Sequence, residues 1–124
     1  MVSIKEMKTY KTLVVWQKSI DLVERVYEIT RTFPEDERFN LTSQLRRCAV
    51  SIPSNIAEGH GRKSNGEFSH FLKIAFGSSS ELETQLLIAH RLKMVAKEEY
   101  DEVSESLTYV RKMLSSLISK TTKS

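Results

Sequence analysis

The stretch Leu41-Thr42-Ser43-Gln44-Leu45-Arg46-Arg47-Cys48-Ala49-Val50-Ser51-Ile52-Pro53-Ser54-Asn55-Ile56-Ala57-Glu58-Gly59 decides the fold. Leu41, Leu45, Cys48, Ala49, Ile52 and Ile56 recur at spacings of three and four, which lays them along one face of a helix. Asn40 stands at the N-cap, where a side-chain oxygen can take a first-turn amide. Gly59 and Gly61 stand where the helix should stop. Pro53 falls inside the run, removes one backbone hydrogen bond and crowds the carbonyl four residues earlier. The stretch therefore reads either as two short helices or as one kinked helix. The apolar phase continues from Ile52 to Ile56, which favours one helix, about 41–58, kinked at Pro53.

Three further periodic segments surround it. Leu13, Trp16, Ile20, Val23, Tyr27 and Thr30 step by three and four and predict a core-facing helix over about 13–33, ended by Phe33-Pro34 because the residue before a proline avoids the helical region. Ser64 and Glu67 have capping-box spacing ahead of Phe68, Phe71, Leu72, Ala75, Ser79, Leu82, Leu86 and Ala89, a helix over about 65–92. Val103, Leu107, Val110, Leu114 and Leu117 predict a helix over about 97–120, with Glu98, Glu99 and Asp101 in its first turn, as the helix dipole prefers. Short polar links make antiparallel neighbours. The expected fold is all-α: a single-domain, up-down-up-down four-helix bundle spanning 1–124, with the first ten or so residues and the last few frayed.

The third helix carries more apolar surface than a lone bundle needs. Phe76, Leu87 and Met94 lie about 100° to 120° from its core centre and widen the apolar arc to roughly 160°, beyond the ~100° that a surface helix buries. They are candidates for a subunit interface; a broad core contact is the competing reading.

Hydrophobic residues make up 40% of the 124 and charged residues 28%, a globular mix. A single cysteine, Cys48, excludes an internal disulfide and reads as a small buried residue. No apolar run approaches the roughly 20 residues that span a bilayer, and Met1 to Lys11 carries no apolar signal core, so no membrane partner is expected and the expected location is the cytoplasm. The net charge of +3 is unevenly spread: Arg38 to Lys73 holds six basic residues against two acidic, and Glu98 to Glu105 holds five acidic and none basic. Arg46 and Arg47 on the second helix, with Arg62 and Lys63 after it, form a candidate basic strip for RNA or DNA phosphates. No aromatic residue is interleaved with them, so contact to backbone or shape is expected rather than base stacking.

Catalytic chemistry finds little support. His60, His70 and His90 pair with no other ligand at metal spacing, and no metal or cofactor is expected. Glu81 and Glu83 are two apart on a helix and point in different directions. Gly59-His60-Gly61-Arg62-Lys63-Ser64 lacks the spacing of a phosphate loop, although Arg62 and Lys63 precede a helix N-terminus that suits a phosphate. Ser78-Ser79-Ser80 lack a partnering base and read as small residues that permit close helix approach.

The second-helix stretch, with Tyr10-Lys11-Thr12-Leu13, Trp16-Gln17-Lys18, Glu67-Phe68, Phe71-Leu72, Ile74-Ala75 and Gly77-Ser78 through Glu81-Leu82-Glu83-Thr84-Gln85-Leu86, resembles the 23S rRNA-intervening-sequence protein family, also called the S23 or four-helix-bundle protein family. The resemblance covers nearly the whole chain. It implies a small bacterial four-helix bundle, assembly as a homopentamer, and kinship with the accessory variability protein of diversity-generating retroelements, which binds a reverse transcriptase and nucleic acid. The family at large has no established biochemical activity. Two positions depart from the family pattern: Cys48 stands where alanine is common, and Ala96 where a capping Ser or Thr is usual, a loss of roughly 1 kcal/mol at the start of the fourth helix. The function expected from residues and resemblance together is a non-enzymatic, self-associating bundle that binds RNA, DNA or a nucleic-acid enzyme; the alternative is a structural or protein-binding module.

Overall fold

The computed structural model describes residues 9–122. Among them are four α-helices, α1 (Val14–Thr30), α2 (Leu41–His60), α3 (Asn65–Arg91) and α4 (Lys97–Thr122), with 3₁₀ turns at Tyr10–Thr12 and Glu35–Glu37 and no strand. The signal-segment reading and most of the expected fraying concern residues outside the described range. Within it, Tyr10–Thr12 is ordered by a Thr9 cap on the Lys11 amide and by the Tyr10 ring against Trp16, 5.2 Å between centroids.

Helix α2 runs unbroken through Pro53, as the continuous apolar phase requires. Each helix packs on two others, α1 and α3 both touching α2 and α4. The directions follow from the cross-helix bonds. Gln44 meets Gln85, Cys48 meets Glu81 and Ser51 meets Ser78, so α2 and α3 run antiparallel. Ser69 meets Thr122 while Ser79 and Glu83 meet Arg111, which sets α3 against α4 the same way. Arg25 of α1 pairs with Glu102 of α4. One apolar cluster fills the centre, with Leu22, Leu45, Ile52, Ile56, Leu72, Leu82, Leu86, Leu107 and Leu114 almost wholly removed from water. Each such side chain contributes about 1.5–3 kcal/mol.

Four readings of the sequence need correction. The inward stripe of α1 is Val15, Ser19, Leu22, Val26 and Ile29, whereas Trp16, Ile20 and Val23 are half-buried and Tyr27 is exposed. The two stripes lie side by side on the helix, and the larger side chains of the second lie on the flank toward α2. Helix α1 also stops at Thr30, not Phe33. Thr30 Oγ1 donates to the carbonyls of Val26 and Tyr27, Arg31 closes a tighter turn onto Glu28, and the freed Phe33 folds back as a core plug, 8% exposed.

Asn40 is the N-cap of α2 by position but makes no capping bond with its side chain; Glu37 Oε1 instead accepts the Leu41 amide at 3.4 Å. Gly59 does not end α2. It lies buried inside the helix, where a Cβ would meet Phe71 Cβ at 2.6 Å, so glycine there permits close approach of α2 and α3. Gly61 caps the helix at φ −76°, without left-handed backbone.

Other expectations stand. Ser64 Oγ accepts the Glu67 amide at 3.1 Å at the start of α3. Helix α4 begins at Lys97 despite Ala96, with Lys97 Nζ 2.7 Å from Asp101 across its first turn. The end of α3 is a Schellman turn: Lys93 donates to His90 and Met94 to Ala89, with Lys93 at φ 62°. The three mid-helix serines do more than leave space. Ser78 bonds Ser51, while Ser79 and Ser80 accept from Arg111, whose guanidinium also lies over the Phe76 ring.

Candidate nucleic-acid interface

The basic residues singled out in the sequence fall into two places. Arg46 lies in the second turn of α2 and Arg62 just beyond its end, so about 20 Å of helix axis separates the two pairs at 1.5 Å per residue. Arg62 is engaged locally, its guanidinium 2.8 Å from Glu58 and over the Phe71 ring. Lys63 is exposed beside it.

Arg46 and Arg47 belong to a different assembly. An open concavity of about 590 Å³ lies where the α1–α2 connector meets the first three turns of α2. Arg38 and Phe39 come from the connector, Tyr27 from α1, and Thr42, Ser43, Arg46, Arg47, Val50 and Ser51 from α2. Three guanidinium groups share it with two aromatic rings and three aliphatic hydroxyls.

The local structure explains the arrangement. Arg46 is half-buried and aimed: its Nε donates to Thr30 Oγ1 at 2.8 Å and its guanidinium stacks 4.5 Å from the Tyr27 ring. That leaves the two terminal nitrogens of the fork available. Arg38 lies 5.2 Å from the Phe39 ring and pairs loosely with Glu35 at 3.6 Å. Arg47 points to solvent. Phe39 is 83% exposed, the most exposed large apolar side chain among the described residues. The concavity also sits at the N-terminal end of a 20-residue helix, where backbone amides and the helix dipole favour negative charge.

The sequence reading missed both aromatic residues. Tyr27 is distant from Arg46 and Arg47 in the chain and Phe39 lies outside their helix, so the fold interleaves what the helix sequence does not. The available signal was Arg38-Phe39, a basic–aromatic pair two residues before the helix in a connector with no need of a phenylalanine.

Of the proposed interface residues, Phe76 is half-buried on α3 under Arg111 and Leu87 on α3 is 37% exposed; Met94, expected on the same helix, instead lies beyond it, because α3 stops at Arg91 and the chain turns at Lys93, and is half-buried against the core. Ile74, Ile88 and Leu92 are exposed too, on the opposite flank of the same helix, and were not singled out. The histidines contact rings: His60 meets Phe68, His70 meets Phe71, and His90 stacks on Tyr100 at 4.2 Å. Among the described residues no group of three or more His, Cys, Asp or Glu side chains is placed to hold a metal ion, and no helix is long and apolar enough to cross a membrane. Cys48 is half-buried, with its thiol pushed above the usual range first by burial and then by the nearby Glu81 carboxylate.

The profile described as 23S rRNA-intervening sequence protein matches residues 11–116. The chain belongs to that family. A solved structure from Bacteroides thetaiotaomicron, a protein of unknown function from the S23 ribosomal protein family, is similar to this member at 29% identity and a TM-score of 0.77, over 85% of this chain and 98% of the other. No curated protein matches it. In this family member the matched segment holds Arg38, Phe39, Arg46 and Arg47, so the concavity lies within the shared fold.

Proposed function

We propose that this S23-family protein is a non-enzymatic binding module that holds single-stranded nucleic acid in the concavity between α1 and α2. One observation carries the reading: the exposed rings of Phe39 and Tyr27 share one hollow with Arg38, Arg46 and Arg47. Charge alone suits any polyanion. An exposed ring beside a guanidinium adds base stacking, worth about 1–3 kcal/mol per base, which a duplex cannot use without unstacking.

Fluorescence anisotropy of labelled single-stranded RNA, single-stranded DNA and duplex against salt tests this. Single strands should bind more tightly than duplex, with log affinity falling by about 0.7 per neutralised phosphate for each decade of salt. Phe39→Ala should weaken single strands selectively. No binding at low salt, or full binding by an Arg46/Arg47→Ala double variant that retains its helical circular dichroism, would sink the proposal.

A second reading, self-association through α3, is favoured by the exposed Leu87 and by the homopentamer that the resemblance implies. Light scattering over a wide concentration range tests it. A Leu87→Glu variant should shift the population toward monomer, and a wild-type protein monomeric throughout would remove the reading.

A further inference from the structure

We propose that the first turn of α2 is a receptor for a phosphomonoester, so that the concavity recognises the phosphorylated end of a strand rather than its interior. The inference rests on the nucleic-acid reading above and narrows it.

The first observation is Thr42. It is 8% exposed, it lines the concavity, and its Oγ1 has no hydrogen-bond partner. Buried hydroxyls are rarely left so. Elsewhere in this bundle a helical threonine bonds the carbonyl four residues back, as Thr30 does to Val26 at 2.7 Å and Thr84 to Ser80 at 3.0 Å. For Thr42 that carbonyl belongs to Arg38, which lies outside the helix, so the usual partner is out of place. The hydroxyl is an orphan donor and acceptor in the lining of a basic hollow.

The second observation is the helix end itself. Asn40 does not cap it, and Glu37 reaches only the Leu41 amide. The amides of Thr42 and Ser43 are first-turn donors with no acceptor inside the helix. Together with Thr42 Oγ1 and Ser43 Oγ they offer a compact set of donors for one tetrahedral anion.

The third is charge. Arg46 is held in place by Thr30 and Tyr27, with Arg38 and Arg47 also lining the hollow. A terminal phosphate carries about −1.5 to −2 at neutral pH, against −1 for an internal diester, and has three free oxygens to offer these donors. A diester, flanked by sugar on both sides, offers less charge and fewer free oxygens. In the present side-chain arrangement Thr42 Oγ1 is closed to solvent, so a bond to it requires neighbouring side chains to move. The base next to the phosphate then meets the Phe39 ring.

The phosphate has two sources, an oligonucleotide end or a free nucleotide. The experiment uses the full chain and a short single-stranded RNA in three forms: hydroxyl at both ends, 5′-phosphate, and 3′-phosphate. One phosphorylated form should bind about tenfold more tightly than the hydroxyl form, as charge-assisted hydrogen bonds allow. Thr42→Val and Ser43→Ala should each bring the ratio of phosphorylated-form to hydroxyl-form affinity close to one. Glu37→Gln should enlarge it by removing a competing carboxylate. Adenosine monophosphate is the free-nucleotide probe. If it displaces the phosphorylated strand, the phosphomonoester receptor also takes a free nucleotide; if it binds where no strand of any form does, recognition of a strand end is overturned together with the strand-binding reading. Equal affinity of all three strands without adenosine monophosphate binding, or a phosphate increment that survives Thr42→Val, overturns this inference and spares the nucleic-acid reading.

Discussion

Gly59→Ala tests the packing of the bundle at its tightest point. In most exposed helix positions Gly→Ala stabilises, by about 1 kcal/mol from helix propensity, part of it through the unfolded chain. At Gly59 the new Cβ would lie 2.6 Å from Phe71 Cβ, 3.1 Å from Phe68 Cδ1 and 3.3 Å from the Phe68 carbonyl oxygen. Comfortable carbon–carbon contact is about 3.5–4.0 Å, so the gap to Phe71 must open by about 1 Å. Phe71 Cβ is fixed to the α3 backbone and cannot rotate away, so the helices themselves must part. Overpacking of this kind costs about 1–3 kcal/mol, with a buried contact at the upper end. After the propensity gain, a net loss of about 1–2 kcal/mol is expected. Gly77→Ala is the internal control, since Gly77 is exposed in α3 with nothing within 4 Å of its Cβ position. It should gain about 1 kcal/mol. Urea and thermal denaturation at one fixed protein concentration measure both, and the two variants should differ by about 2–3 kcal/mol, or roughly 6–12 °C. Equal stabilisation of both would refute the close-approach reading of Gly59.

Lys93→Gly should stabilise by about 1 kcal/mol, because Lys93 holds φ 62° at the end of α3; a fall in denaturation midpoint would contradict the Schellman assignment. The Cys48 thiol, whose ordinary value is 9.0, is raised by burial and by Glu81, so the unfolded chain loses its proton first and this contribution to stability falls as pH climbs past 9. Iodoacetamide labelling against pH should show a native midpoint above 9 that moves down in Glu81→Gln, and a midpoint below 9 would refute the assignment. Thr42→Val should raise the ligand-free stability by about 1–2 kcal/mol, since an unpartnered buried hydroxyl is exchanged for a methyl of similar shape; a destabilised variant would mean that the hydroxyl has a partner in the fold.

The fold was readable because its signals are local. Period-3.6 apolar spacing, Ser64 with Glu67, and the unbroken phase through Pro53 depend on residues within a few turns of one another. What escaped was decided between helices. On α1 the Val15–Ile29 and Trp16–Tyr27 stripes have comparable apolar content, and only the placement of α2 and α4 selects the one that faces inward. Gly59 looked like a stop signal because glycine ends helices as often as it admits neighbours, and the neighbour, Phe71, lies beyond the next turn. The candidate site shows the same division. Arg46 and Arg47 are adjacent in sequence, but Tyr27 is nearly twenty positions from Arg46 and reaches it only through the α1–α2 packing.

The concavity gathers features that folding alone does not require. The core is complete with Leu45, Ala49, Ile52 and Ile56 on α2, and none of Arg38, Phe39 or Arg47 adds to it. Phe39 gains nothing from an 83% exposed ring, and a polar residue in that connector would serve solubility better. Thr42 buries a hydroxyl without a bond, Asn40 makes no capping bond to its helix, and three arginines line one hollow with mutual repulsion. Each of these is neutral or unfavourable for the isolated chain. Scattered over the surface they would be ordinary imperfections. Four of them meet at one helix end, and the proposed ligand, a terminal nucleotide, would bring the negative charge, hydrogen-bond acceptors and flat ring that together complement them.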